Sequence, residues 1–154
     1  MKMDKFSTMR VTSEHAAFQI LAGELELDLK IRDGNEHLFY ADLNKIDTMK
    51  YAVVAYEQDE PIGCGSFKEH AADTMEIKRM YVRPANRGKG VASEILAELE
   101  KWCNELGTQT CVLETGKNQP EAIEFYKKNR YEIIPNFGRY IDSKNSVCFK
   151  KILS

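Results

Sequence analysis

Apolar residues early in the chain recur at three- and four-residue intervals, at Phe18, Leu21, Ala22, Leu25 and Leu29. That spacing predicts an amphipathic helix with one face turned to a core. Thr12 or Ser13 is placed to cap it and Gly34 to stop it. Residues 35–48 carry no clear period and leave room for a short second helix. The pattern then changes. Tyr51 to Glu57, Ile62 to Lys68 and Thr74 to Val82 are short and rich in β-formers, with Gln58-Asp59-Glu60-Pro61 as a turn between the first two. They predict three strands in an antiparallel meander.

Helical spacing returns at Val91, Ile95, Leu99, Trp102, Cys103 and Leu106, ended by Gly107. Cys111-Val112-Leu113 reads as a short buried strand. Asn118 or Gln119 can cap a further helix that has Pro120 at its first position and carries Ala122, Phe125 and Tyr126. Tyr131 to Ile134 and Ser146 to Ile152 read as closing strands. A strand–helix–strand passage from Thr74 to Leu113 marks a parallel pair with a crossover helix. The expected fold class is α/β (mixed α+β): a twisted mixed sheet, antiparallel in its first half, parallel at its centre and flanked by helices.

Composition narrows the function classes. The 154 residues suit one domain spanning 1–154, without repeats or linkers. The net charge of −2 supplies no basic field for nucleic acid. No apolar run approaches the ~20 residues of a membrane span, and the first residues do not form a signal peptide. Cys64, Cys103, Cys111 and Cys148 form no CxxC pair, so no metal site is expected and the thiols read as reduced core residues. A cytoplasmic location follows by default. Exposed sheet edges make a homodimer possible.

The candidate chemistry lies in Met80-Tyr81-Val82-Arg83-Pro84-Ala85-Asn86-Arg87-Gly88-Lys89-Gly90-Val91-Ala92. A strand ends, a polar loop turns and a long helix begins. The first N–H groups of a helix lack internal partners and sit in positive potential, which suits a phosphate. Gly88 and Gly90 let an anion approach the amides, and Arg87 and Lys89 add charge beside them. A Walker A loop is absent, and Ser93 stands where a dinucleotide fingerprint needs its third glycine. Gly63-Cys64-Gly65 lies inside a strand pattern, where close packing or a bulge accounts for it.

Arg87-Gly88-Lys89-Gly90-Val91-Ala92 resembles the Arg/Gln-x-x-Gly-x-Gly/Ala motif of the GNAT superfamily of N-acetyltransferases. Gln119-Pro120-Glu121-Ala122-Ile123-Glu124-Phe125-Tyr126 resembles that family's Asn-x-x-Ala-x-x-Leu/Phe-Tyr helix. The two occur in the family's order, and the order of elements agrees over residues 50–152. Two departures stand out. Gln119 replaces the usual Asn, and Arg130 stands where a glycine is expected after the helix. A left-handed non-glycine cap costs about 1 kcal/mol, so Asn129 is expected to take that conformation instead.

The resemblance implies an acetyl-CoA-dependent transfer of an acetyl group to a primary amine of a small molecule or peptide by direct attack, without a metal. The thioester would lie between the strands Thr74 to Val82 and Cys111 to Glu114. Backbone groups of Met80, Tyr81 and Val82 would hold the pantetheine arm. The amides from Gly88 to Ala92, flanked by Arg87 and Lys89, would hold the pyrophosphate, and Gln119 and Tyr126 would complete the cofactor site. An N–H near Met80 would polarise the thioester carbonyl. Tyr126 matches the family's general acid at the CoA sulfur.

An alkyl amine arrives protonated, so the reaction needs a base. Glu76, acting through a water, is the first candidate and Glu114 the second. Glu76 also shares a strand face with Lys78 and can simply pair with it. His15 is expected in the first helix, and His37 and His70 in loops. Residues 135–140 and 37–44 are candidates for shaping the acceptor pocket. The alternative of another class is a non-catalytic CoA- or acyl-CoA-binding sensor or scaffold module.

Overall fold

The computed structural model describes residues 6–33 and 49–153. Along the chain run β1 (Ser7–Val11), α1 (Ala16–Asp33), β2 (Tyr51–Glu57), β3 (Glu60–Ala71), β4 (Thr74–Val82), α2 (Val91–Glu105), β5 (Thr110–Gly116), α3 (Pro120–Lys128), β6 (Glu132–Ile134) and β7 (Ser146–Ile152). The strands form one sheet in the order β1-β2-β3-β4-β5-β7-β6. Only β4 and β5 pair in parallel; every other neighbour is antiparallel. The expected mixed sheet is therefore present.

The two sheet faces bury different helices. Phe18, Leu21, Ala22 and Leu25 of α1 pack on Ala52, Val54, Cys64 and Tyr81. Val91, Ile95, Leu99 and Cys103 of α2 cover the opposite face with Val53, Phe67, Ile77 and Leu113. The two glycines of β3 explain how α2 comes so close. A Cβ on Gly65 would fall 2.6 Å from Met80 Sδ and 2.9 Å from Ile95 and Leu99, and one on Gly63 would fall 2.9 Å from the Tyr81 carbonyl oxygen. All four cysteines are buried and unpaired with one another by disulfide.

Several expectations need correcting. β1 was not foreseen; it is held by its five-residue ladder to β2. The cap of α1 is His15, whose Nδ1 accepts from the Ala17 amide at 3.2 Å, while Thr12 caps the preceding turn through Glu14 and Ser13 accepts from the Met49 amide. His70 lies on β3, not in a loop. Leu106 is 45% exposed and follows α2 as its cap. After α3, Arg130 itself takes the left-handed conformation (φ 73°), and Asn129 does not (φ −91°). Tyr131 N–H donates to Tyr126 O and Arg130 N–H to Lys127 O, so the helix end is satisfied as a Schellman turn despite the strained residue. The proposed stop at Gly34, the possible helix at 35–48, His37 and the 37–44 segment lie outside the described residues.

Candidate functional site

The parallel pair is short. β4 and β5 pair only from Thr74/Thr110 to Glu76/Val112, after which each strand runs on without the other. A β-bulge accompanies this parting. Cys64 faces Tyr81 and Ser66 faces Lys78, so Gly65 opposes both Arg79 and Met80. Arg79 carries the distortion with φ 59°. Beyond the bulge, Arg83 binds Glu24 of α1 (2.8 Å) and the Pro61 carbonyl (2.8 Å), fixing the strand end against the helix.

A cleft of about 440 Å³ opens at this strand end, bounded by α2, α3 and α1. Met80, Tyr81, Val82, Arg87, Gly88, Gly90, Val91, Ala92, Gln119 and Tyr126 all border it, and of the candidate cofactor residues only Lys89 does not. A 3₁₀ turn at Pro84–Asn86 leads in, with its last bond from Arg87 N–H to Pro84 O. The next backbone donor with a partner is Glu94, bonded to Gly90 O. Among the described residues, the amides of Gly88 to Ser93 make no hydrogen bond to the protein. Six donors are thus left at the start of a helix.

Gly88 (φ 79°) and Gly90 (φ 86°) are required here by their left-handed backbone, because a Cβ at either would meet open space. Arg87 Nε donates to Val82 O at 2.8 Å, and its guanidinium lies over the Tyr81 ring. The side chain is therefore partly committed to the protein.

A second, smaller cavity of about 100 Å³ lies where β4 and β5 have parted, and Met80, Gln119, Ala122 and Tyr126 border both spaces. Glu76, Lys78, Arg79, Glu114, Thr115 and Tyr140 complete its polar lining, and Leu25 and Leu29 of α1 form an apolar wall. Tyr140 hydroxyl donates to Glu76 Oε2 at 2.9 Å and accepts from Lys78 Nζ at 3.2 Å. Glu76 and Lys78 also pair directly at 3.6 Å, as their shared strand face allows. Glu114 accepts from Ser146 Oγ at 2.7 Å. Both candidate bases thus meet Tyr126 around one cavity.

Burial, and then the negative charge of Glu114, push the Tyr126 hydroxyl well above the usual tyrosine value, so it keeps its proton at neutral pH. Burial and Glu76 act likewise on Tyr140. The Lys78 ammonium is pushed down by burial. Tyr140 came from the loop expected to shape an acceptor pocket, but its bond to Glu76 was not foreseen. Arg79 was missed outright, because its place is set by the register of β4 against β3.

The sequence model of the acetyltransferase (GNAT) family matches residues 16–130. The chain belongs to the GNAT acetyltransferase family. It is 31% identical over 105 residues to the IAA acetyltransferase of Azospirillum brasilense, covering 66% of this chain and 67% of that protein. The fold matches a Klebsiella pneumoniae protein assigned as an acyl-CoA N-acyltransferase, with TM-score 0.82, 26% identity, and 97% and 98% of the two chains covered. A GNAT family acetyltransferase of Elizabethkingia anophelis, solved with acetyl-CoA bound, matches with TM-score 0.69 and 17% identity over 98% and 100% of the chains. Among the described residues of this GNAT domain, no helix is long and apolar enough to cross a membrane, and no three His, Cys, Asp or Glu side chains are grouped to hold a metal.

Proposed function

We propose that this chain transfers the acetyl group of acetyl-CoA to a primary amine of a small molecule or peptide by direct attack. The observation that carries the reading is the run of amides from Gly88 to Ser93. Among the described residues they have no protein partner, all but Lys89 belong to residues that border a cleft, and that cleft adjoins a cavity lined by Tyr126 and two carboxylates. Donors of this kind fit a pyrophosphate. The β4 edge released from β5 fits the pantetheine arm, with Met80, Tyr81 and Val82 supplying backbone partners.

In this reading the amine nitrogen attacks the thioester carbonyl carbon, the new N–C bond forms, and the C–S bond breaks. An ammonium acceptor gives up two protons in all. One ends on the CoA sulfur and one reaches solvent through a carboxylate, with Glu76 as base through a water and Glu114 as its alternate. Tyr126 is assigned to the departing sulfur. Its raised pKa keeps it a hydrogen-bond donor across the working range. An acid so much weaker than a thiol stabilises the thiolate chiefly by that hydrogen bond.

Thiol release from acetyl-CoA against a panel of amines tests the reading. Tyr126→Phe should lower kcat about ten- to a hundred-fold with acetyl-CoA affinity nearly unchanged. Tight acetyl-CoA binding with no turnover on any amine would favour a binding module instead.

A further inference from the structure

Among the described residues, Arg79 stands out for buried side-chain donors without a hydrogen-bond partner. Its side chain is 97% buried, with 3% of its surface exposed. Its Nε and Nη1 atoms make no hydrogen bond. Among the described residues it pairs with Glu26 of α1, at 3.5 Å from Nη1, and that carboxylate is about one third exposed. A buried guanidinium has five donors to satisfy, and leaving them unmade is costly.

Arg79 holds this place by virtue of the β4 bulge. Residues 77–80 all line the small cavity, and Arg79 does so with a strained left-handed backbone. Strain and a desolvated cation in one residue, beside the two candidate bases, mark a ligand contact more than a structural one.

We propose that the acceptor carries a carboxylate close to its amine, as a free α-amino acid does, and that Arg79 is the residue that binds this carboxylate. The assignment rests on the acetyl-transfer reading and narrows it to one acceptor class. The cavity wall supports it. Glu76 and Glu114 suit the amine end, Arg79 the carboxylate end, and Leu25 and Leu29 offer apolar surface to a short side chain. Nε and Nη1 lack hydrogen-bond partners, and a carboxylate is an anionic acceptor that a guanidinium binds by charge-assisted hydrogen bonds. The small volume excludes bulky acceptors from deep entry.

The test pairs each of several amino acids with its carboxamide, alanine with alaninamide and leucine with leucinamide, in two assays. In thiol release with acetyl-CoA, the wild-type protein should prefer the acid over the amide by about ten- to a hundred-fold in kcat/KM, the value of a charge-assisted contact. Arg79→Met should erase that preference through KM, while Arg79→Lys retains part of it.

In thermal shift with the CoA-loaded protein, amino acids should stabilise the wild type and not Arg79→Met. Equal turnover of acids and amides would overturn the carboxylate assignment and leave acetyl transfer standing. Amino acids that bind through Arg79 without any thiol release would do the reverse. Amino acids that stabilise neither protein, or both alike, overturn the assignment whatever the turnover.

Discussion

The Tyr140 hydroxyl bridges Glu76 and Lys78, donating to the carboxylate at 2.9 Å and accepting from the ammonium at 3.2 Å. All three side chains are buried. The loop after β6 is thereby tied to the centre of the sheet, next to the place where β4 leaves β5. Tyr140→Phe removes the bridge and leaves two buried charges with poorer partners. We expect a loss of about 1–2 kcal/mol in stability by urea denaturation, together with a lower rate of acetyl transfer. Glu76→Gln should lower the rate further, while Glu114→Gln has the larger effect if Glu114 is the base.

The left-handed Arg130 predicts a gain. Arg130→Gly relieves the steric cost at the end of α3 but adds freedom to the unfolded chain. The balance should be a stabilisation of about 0.5–1 kcal/mol, read as a rise in urea midpoint with an unchanged m-value. Unaltered or reduced stability would mean that the Schellman turn tolerates arginine without strain.

Gly65 and Gly63 should respond differently to alanine. At Gly65 the nearest atom is the flexible end of Met80, which borders the cleft proposed to hold the cofactor. Gly65→Ala should therefore displace Met80 and raise the KM for acetyl-CoA, at a stability cost of about 1–3 kcal/mol. Gly63→Ala meets the Tyr81 carbonyl, which belongs to the sheet and cannot swing aside. Its effect should be mainly on stability, measured by thermal unfolding.

Alkaline pH should unfold the protein early. Burial pushes the Cys64 thiol up to about 12 and the Cys148 thiol up to about 11, and raises Tyr126, Tyr131 and Tyr140 as well. The unfolded chain loses these protons first, near the ordinary values of 9.0 for thiols and 10.0 for tyrosines. It then binds fewer protons than the native state, so stability falls as pH rises. The contribution is intact below about pH 9 and lost progressively through pH 11 and 12. Urea midpoints from pH 8 to 11 should decline steadily; a flat profile would contradict the burial of these groups.

Much of this was legible in the chain because periodic apolar positions report burial directly. The face of α2, the meander of β2 to β4 and the glycines after β4 follow from spacing and backbone freedom. β1 was not legible, since its alternation over Ser7–Val11 exposes Ser7 and Met9 and its order comes from pairing with β2. The bulge at Arg79 was hidden for a related reason: it is set by tertiary registry between β3 and β4, and arginine has no preference for a left-handed backbone. His15 as a cap, and Tyr140 reaching Glu76 across 64 positions, likewise depend on contacts between distant segments.

The central claim is that the main-chain nitrogens of residues 88–93 hold the cofactor's pyrophosphate. Amide NMR during titration with CoA reads those nitrogens one by one. The account predicts large downfield shifts and slowed exchange for several amides between Gly88 and Ser93, and loss of the effect when the pyrophosphate is absent, as with pantetheine. Tight CoA binding that leaves those amides unmoved would contradict it.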